Sequence, residues 1–274
     1  MRRARWLLLF SLGGAGGAEE LWIIPPHLPA APFQPAAPNR VAVRIHLGEK
    51  FPESSRLLEH DRIVRFDAIN ARGVNVVSRY RVEGRGLVSD IEVPEGGCVL
   101  ALSTSPRILR LEAEDFNQHL LRDGVLQIYE PRRRYDQLDR PASERRSRHA
   151  KALLAAPGRR GDLFLRPAGA PLEIVPLLDP TRMSPGTLLE VRVVSRGRPV
   201  PGLTILAAGA APHSSQFSAV TDDFGEAAFP PDSAGLWYIH AVDMQRLQGD
   251  PEADYECEWA TLTFEMGGQA PPKD

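Results

Sequence analysis

Only two cysteines, Cys98 and Cys257, occur in 274 residues. So few exclude a disulfide-knit scaffold, and two thiols without histidines at ligand spacing do not make a metal cluster. One bridge between them stays open, and so does a pair of buried, inert thiols. Charge of one sign is also scarce. The formal net charge is −2, so no basic field marks the chain for nucleic acid. Long apolar runs are missing, since a membrane span needs about 20 residues. No G-x-S-x-G, H-E-x-x-H, Walker loop or Rossmann fingerprint occurs. Ser103, Ser105, Asp115 and His119 supply the residue types of a triad. Nothing in their spacing assembles them, and the reading is non-enzymatic.

Proline and glycine are abundant instead, at 25 and 23 residues. Long helices tolerate neither, whereas antiparallel sheets with many turns use both. A hydrophobic content of 43% against 25% charged residues suits a globular protein with real cores. The first 18 residues read separately. Arg2, Arg3 and Arg5 precede an apolar stretch from Trp6 to Leu12, then small residues ending at Ala18. This pattern predicts a secretory signal peptide cut near Ala18, the alternative being a membrane anchor. Cleavage removes three arginines and takes the formal charge from −2 to −5. A periplasmic or secreted, soluble mature protein is expected, with no transmembrane segment.

Leu21 to Ile24 predicts a first strand. Pro25 to Pro38 holds six prolines and reads as an extended arm, either a connector or a partner-binding segment. Val41, Val43 and Ile45 alternate with polar residues, as in a half-buried strand. Arg62 to Ala68 and Val74 to Val82 repeat the pattern. Pro94-Glu95-Gly96-Gly97 reads as a turn before strands at Cys98–Ser103 and Arg107–Leu111. From Ala113 to Arg122 the period becomes helical, with Phe116, Leu120 and Leu121 on one face and Asp123-Gly124 as the stop. Residues 132–160 are strongly charged, and Ser143 to Leu154 is expected to be a second helix, closed by Pro157-Gly158. The strand rhythm resumes at Leu172–Leu178 and runs through Leu188–Val194, Leu203–Ala207, Phe217–Thr221, Glu226–Phe229, Gly235–Val242 and Glu258–Met266. Asp222 and Asp223 read as turn residues before Gly225.

The expected architecture is mostly β, with two sandwich domains of jelly-roll or immunoglobulin-like type. The first spans 19–130 and the second 170–266. A charged helical insertion at 131–169 lies between them, and 267–274 form a disordered tail.

Several landmarks, taken in order, resemble one family. They are Glu19 to Pro25, Phe116 to Val125, Arg140 to Leu154, Leu172 to Pro180, Arg198 to Gly202, Thr221 to Gly225 and Asp254 to Phe264. The family is a bacterial domain of unknown function labelled NikM-like, after nickel uptake. The resemblance implies an envelope protein linked to transition-metal uptake. Two family histidines are replaced here, by Glu19 and Asp243, which shifts preference towards harder ions. Cys257 stands where the family usually has serine, so the resemblance implies no disulfide.

Two sites emerge as candidates. His240, Asp243, Asp254 and Glu256 flank the loop before the last strand. They read either as a site for a divalent ion or as a hydrated acidic loop. His240 and Asp243 sit at odd spacing, which points them to opposite faces of a strand unless a bulge intervenes. The second candidate is Glu144, Arg148 and Lys151, a common face on the expected helix, with Arg132, Arg133, Arg134, Arg140, Arg145 and Arg146 nearby. It reads either as a site for an anionic ligand, lipid headgroup or acidic partner, or as a helix docked between domains. No cofactor other than a divalent metal ion is indicated. The leading functional expectation is an exported envelope binding or accessory module that assists transition-metal or solute uptake. Its partner would be an envelope protein or a transporter component. A structural or protein-interaction module without a small ligand is the alternative, and a hydrolase the third reading.

Overall fold

The computed structural model describes residues 19–26 and 39–267. The signal segment, residues 27–38 of the proline arm and the tail from 268 onward lie outside the described residues. The first half contains β1 (Glu20–Ile24), β2 (Asn39–Gly48), β3 (Ile63–Asn70), β4 (Gly73–Val76), β5 (Arg81–Glu83), β6 (Gly86–Val93), β7 (Cys98–Thr104) and β8 (Arg107–Leu111). Two helices follow, α1 (Ala113–Arg122) and α2 (Leu126–Arg134), and then β9 (Ala142–Leu154). The second half contains β10 (Leu172–Pro176), β11 (Leu189–Ser195), β12 (Arg198–Pro199), β13 (Thr204–Gly209), β14 (Gln216–Val220), β15 (Glu226–Phe229), β16 (Gly235–Arg246) and β17 (Tyr255–Met266).

These strands form three sheets. One has the order β1-β2-β6-β5, and a second joins β10, β11, β12 and β15. The third has nine strands, ordered β14-β13-β16-β17-β9-β7-β3-β4, with β8 also on β9. It is the middle layer. Leu100, Leu102, Ala150 and Ala152 on one of its faces pack against Leu21, Val43 and Ile91 of the first sheet. Val99, Leu153, Leu262 and Phe264 on its other face pack against Leu172, Ile174 and Val191 of the second sheet. A third cluster seats Phe116 and Leu120 of α1 on Val242, Met244, Tyr255 and Trp259.

The predicted helix at 143–154 is instead β9, at the centre of the middle sheet. It runs parallel to β17 and antiparallel to β7. The helical insertion between two sandwiches is therefore corrected: segment 142–154 is the strand that joins strands of both halves. Its Glu, Arg, Lys, Ala and Leu content favours a helix locally, and tertiary packing overrides that preference. Strand geometry then alternates the side chains. Glu144, Arg146, Arg148, Ala150, Ala152 and Leu154 share one face, while Arg145, His149, Lys151 and Leu153 share the other. Glu144 and Arg148 thus keep a common face, and Lys151 leaves it. The stretch from Val74 to Val82 also divides, into two exposed edge strands of different sheets, β4 and β5.

The turn before β7 forms as expected, with Gly97 N donating to Pro94 O at 3.0 Å. Gly97 has a φ of +99°, and a β-carbon there would lie 2.1 Å from the carbonyl oxygen of Leu154. Gly97→Ala is expected to lower stability by about 1–3 kcal/mol. Thermal unfolding of the variant checks this, and an unchanged midpoint would show that the turn can shift freely.

Candidate functional site

Where α1 meets the ends of β1, β9, β16 and β17, the interior becomes polar. Parity explains how the strands supply it. Cys257 and Trp259 on β17 face the same side as Glu144, Arg146 and Arg148 on β9, and as His240 on β16. β1 lies across this face, with its Leu21 and Ile23 carbonyls accepting from the hydroxyls of Thr261 and Thr263. That docking carries Glu20 to His240. His119 on α1 and Asp123 at its C-terminal cap are one turn apart, on the stripe that carries Phe116 and Leu120. Gly124, at φ +68°, ends the helix against Thr204 and turns Asp123 inward.

Trp259 is the floor of the site. The His119 ring stacks on it at 5.3 Å and 11°, and the His240 ring tilts over it at 5.1 Å. The Arg146 guanidinium lies 4.5 Å from its ring centre. Around this floor, His119 Nδ1 is 2.6 Å from Asp123 Oδ2, and His119 Nε2 is 3.3 Å from Glu144 Oε2. Glu144 also meets Arg146. His240 Nδ1 is 3.4 Å from Glu20 Oε2, and His240 Nε2 is 4.0 Å from Asp123 Oδ1. Arg122 Nη2 closes the rim on Asp123 Oδ2 at 2.9 Å.

Buried polar atoms are normally hydrogen-bonded, because an unpaired one costs about 1–3 kcal/mol. This site holds a concentration of exceptions. Glu20 Oε2, His119 Nε2, both carboxylate oxygens of Glu144 and both ring nitrogens of His240 make no hydrogen bond of adequate geometry among the described residues. Two sets of donor atoms, each within 4.8 Å of one another, result: Glu20, Asp123 and His240, and His119, Glu144 and Cys257.

The titration behaviour follows from this environment. Burial, reinforced by Asp123, pushes the Glu20 carboxyl up to about 8. Burial pushes the His240 imidazole down to about 4. Burial also opposes the charge on Asp123, but the His119 hydrogen bond and charge outweigh it and hold that carboxyl below its ordinary range. Burial works against a charged His119 too, and the neighbouring carboxylates of Asp123 and Glu144 outweigh it, raising it. The Cys257 thiol is pushed well above its ordinary value, chiefly by burial.

Of the four residues expected to form a metal set, only His240 lies here. Asp243 points to the opposite face, as their odd spacing implied, and its carboxylate accepts from Gln245 at 3.2 Å. Asp254 accepts from the backbone N–H and the hydroxyl of Ser143, both at 2.7 Å, and so anchors the start of β9. Glu256 is 3.6 Å from Arg145, alongside Asp250 at 2.7 Å. The expected set is corrected accordingly, because strand parity and the neighbouring pairs separate its members. The second candidate set divides as well. Glu144 enters the site, and Arg148 flanks it with Nε donating to Glu19 O at 3.1 Å. Lys151 binds Glu173 on the far face at 2.6 Å. Glu20, Asp123, His119 and Cys257 were not anticipated as ligands. The i, i+4 pair of His119 and Asp123 was the one local signal for them.

On the far face, Ser103 Oγ is 2.9 Å from His149 Nδ1, and His149 Nε2 is 2.8 Å from Glu258 Oε2. The cavity beside His149 is about 10 Å³, room for about one water molecule. A wider cleft of about 850 Å³ opens between the β4 and β5 edges, lined by Arg40, Val76, Arg79 and Tyr80 among others. Both cysteines are free and buried. Among the described residues, no helix is long and apolar enough to cross a membrane.

Comparison with solved structures returns the D0-D1 domain of intimin at 10% identity and a TM-score of 0.21, over 82% of this chain and 90% of that one. It also returns a Salmonella alpha-2-macroglobulin mutant at 12% identity and a TM-score of 0.19, over 95% of this chain but 16% of that one. No curated protein matches. A family model does, over residues 17–245. The chain belongs to the family described as Domain of unknown function (DUF4198).

Proposed function

We propose that this protein is an exported envelope module that binds a divalent transition-metal ion through Glu20, Asp123 and His240, as a binding or accessory component of metal uptake. The observation that carries this reading is the set of unpartnered buried atoms on Glu20 and His240, beside the Asp123 carboxylate. An ion would take Glu20 Oε2 and one ring nitrogen of His240 as ligands at once. Once Glu20 gives up its proton to solvent on binding, two carboxylates and a neutral imidazole bring a charge of −2, which balances a divalent cation in a dry interior. The mixed nitrogen and oxygen donors suit zinc, nickel, cobalt or manganese. Three protein ligands leave one position open, which fits an ion that is taken up and handed on rather than locked into the fold. Glu20 holds β1 to the site, Asp123 brings the end of α1, and His240 supplies the strand-borne nitrogen. The partner on this reading is an envelope protein or transporter component.

The test is metal content and calorimetric titration of the untagged protein purified from the periplasm. Binding that loses an equivalent in Glu20→Gln and in His240→Ala supports the reading. A protein that takes up no first-row divalent ion would remove it and leave the protein-interaction reading in its place. That reading would then start at the cleft edge, where Val74, Val76 and Val82 are exposed.

A further inference from the structure

The second donor set differs from the first in containing sulfur. His119, Glu144 and Cys257 are all buried, at 3%, 0% and 0% exposure. Their donor atoms lie within 4.8 Å of one another. Ligand atoms around a tetrahedral ion stand about 3.3–3.8 Å apart, given ion–ligand distances of about 2.0–2.3 Å. Small side-chain rotations bridge that gap. His119 is oriented for the purpose. With an ion on Nε2 and Nδ1–H donating to Asp123 Oδ2, the ring would be neutral and its Nε2 lone pair would face Glu144 and the thiol. A carboxylate behind a ligating histidine is the usual second partner of such a ligand, and it sets the tautomer. The thiol is similarly supported, with Trp259 Nε1–H donating to Cys257 Sγ at 3.0 Å. That bond stabilises charge on sulfur. His119 Nε2 and both Glu144 oxygens make no adequate hydrogen bond among the described residues.

We propose that His119, Glu144 and Cys257 form a second cation position with a thiolate ligand, next to the Glu20, Asp123 and His240 position and joined to it through Asp123. Asp123 places one oxygen on His119 and the other towards His240. Binding at the second position releases the Cys257 thiol proton to solvent, and the sulfur electron pair goes to the ion. Thiolate and Glu144 together balance a divalent charge. Soft sulfur with imidazole selects zinc, cobalt, nickel or copper over magnesium and calcium. Arg146 competes with the ion for Glu144, since it rests against that carboxylate when no ion is there. Arg146→Met is therefore expected to tighten this position.

The experiment is a cobalt(II) titration of the untagged full chain, followed by absorbance. Two equivalents are expected, one of them with an intense thiolate-to-cobalt band in the near ultraviolet. Cys257→Ser should abolish the band and retain one equivalent, while His240→Ala should keep the band and lose the other. Zinc-edge X-ray absorption of the unaltered protein gives a second readout that does not depend on a variant folding. One sulfur at about 2.3 Å from half of the zinc is expected. Cobalt bound at one equivalent without sulfur would overturn the second position and leave the first standing. A band that survives Cys257→Ser would overturn it too. No cobalt binding at all would remove both.

Discussion

Lys151→Met is expected to destabilise the fold by about 3–5 kcal/mol, because it strands a buried carboxylate. Lys151 and Glu173 are 3% exposed each and 2.6 Å apart, between the middle sheet and the β10 sheet. Burial lowers the Lys151 ammonium, and Glu173 opposes that shift. Glu173 also accepts from the N–H groups of Ala168 and Gly169, so it pins the connection into β10. Removing only the lysine leaves those bonds and an unbalanced charge. The double variant Lys151→Met, Glu173→Gln keeps an acceptor for one of the two amides and removes both charges. It is expected to recover more than half of the loss. Urea unfolding followed by circular dichroism measures both. A single variant within about 1 kcal/mol of the parent would mean that water or rearrangement reaches this pair.

The second large effect has opposite signs in two states. His240→Leu removes two buried ring nitrogens that make no hydrogen bond among the described residues. In ion-free buffer it should raise stability by about 1–2 kcal/mol, since an unpaired buried polar group is costly. In zinc at 100 times the dissociation constant, the parent should gain about 2.7 kcal/mol. The variant should lose the part of that gain owed to the position His240 serves. Thermal unfolding with and without zinc reads both numbers. A variant that is less stable without zinc, yet responds to zinc like its parent, would make His240 a packing residue and not a ligand.

Much of this architecture could be read from side-chain periodicity. Val41, Val43 and Ile45 alternate because only one face of β2 is buried, and α1 declares itself through Phe116 and Leu120. β9 was hidden for the opposite reason. Both of its faces are buried, and Arg145, His149 and Lys151 find partners on distant elements, so no apolar alternation marks it. The site was legible in two residues, His240 and Glu144, each assigned to a different set. Its other members come from residues 20, 119, 123 and 257, and strand order with the docking of α1 brings them together. A loop-centred reading around Asp254 and Glu256 could not anticipate that. Those carboxylates serve Ser143 and Arg145 at the surface instead.

The docking of β1 across β17 has a consequence for the order of assembly. Leu21 accepts a hydrogen bond from Thr261, 240 positions further along the chain. β9 and β17, its parallel neighbour, are joined only across the intervening second half. Contacts of such long range make folding slow, because loop-closure entropy is met before the contacts reward it. The polar chamber cannot be completed before β17 has joined β9 and β16. Until then β1 has no Thr261 or Thr263 to seat it, and on the proposed reading ion capture would report that β17 is in place.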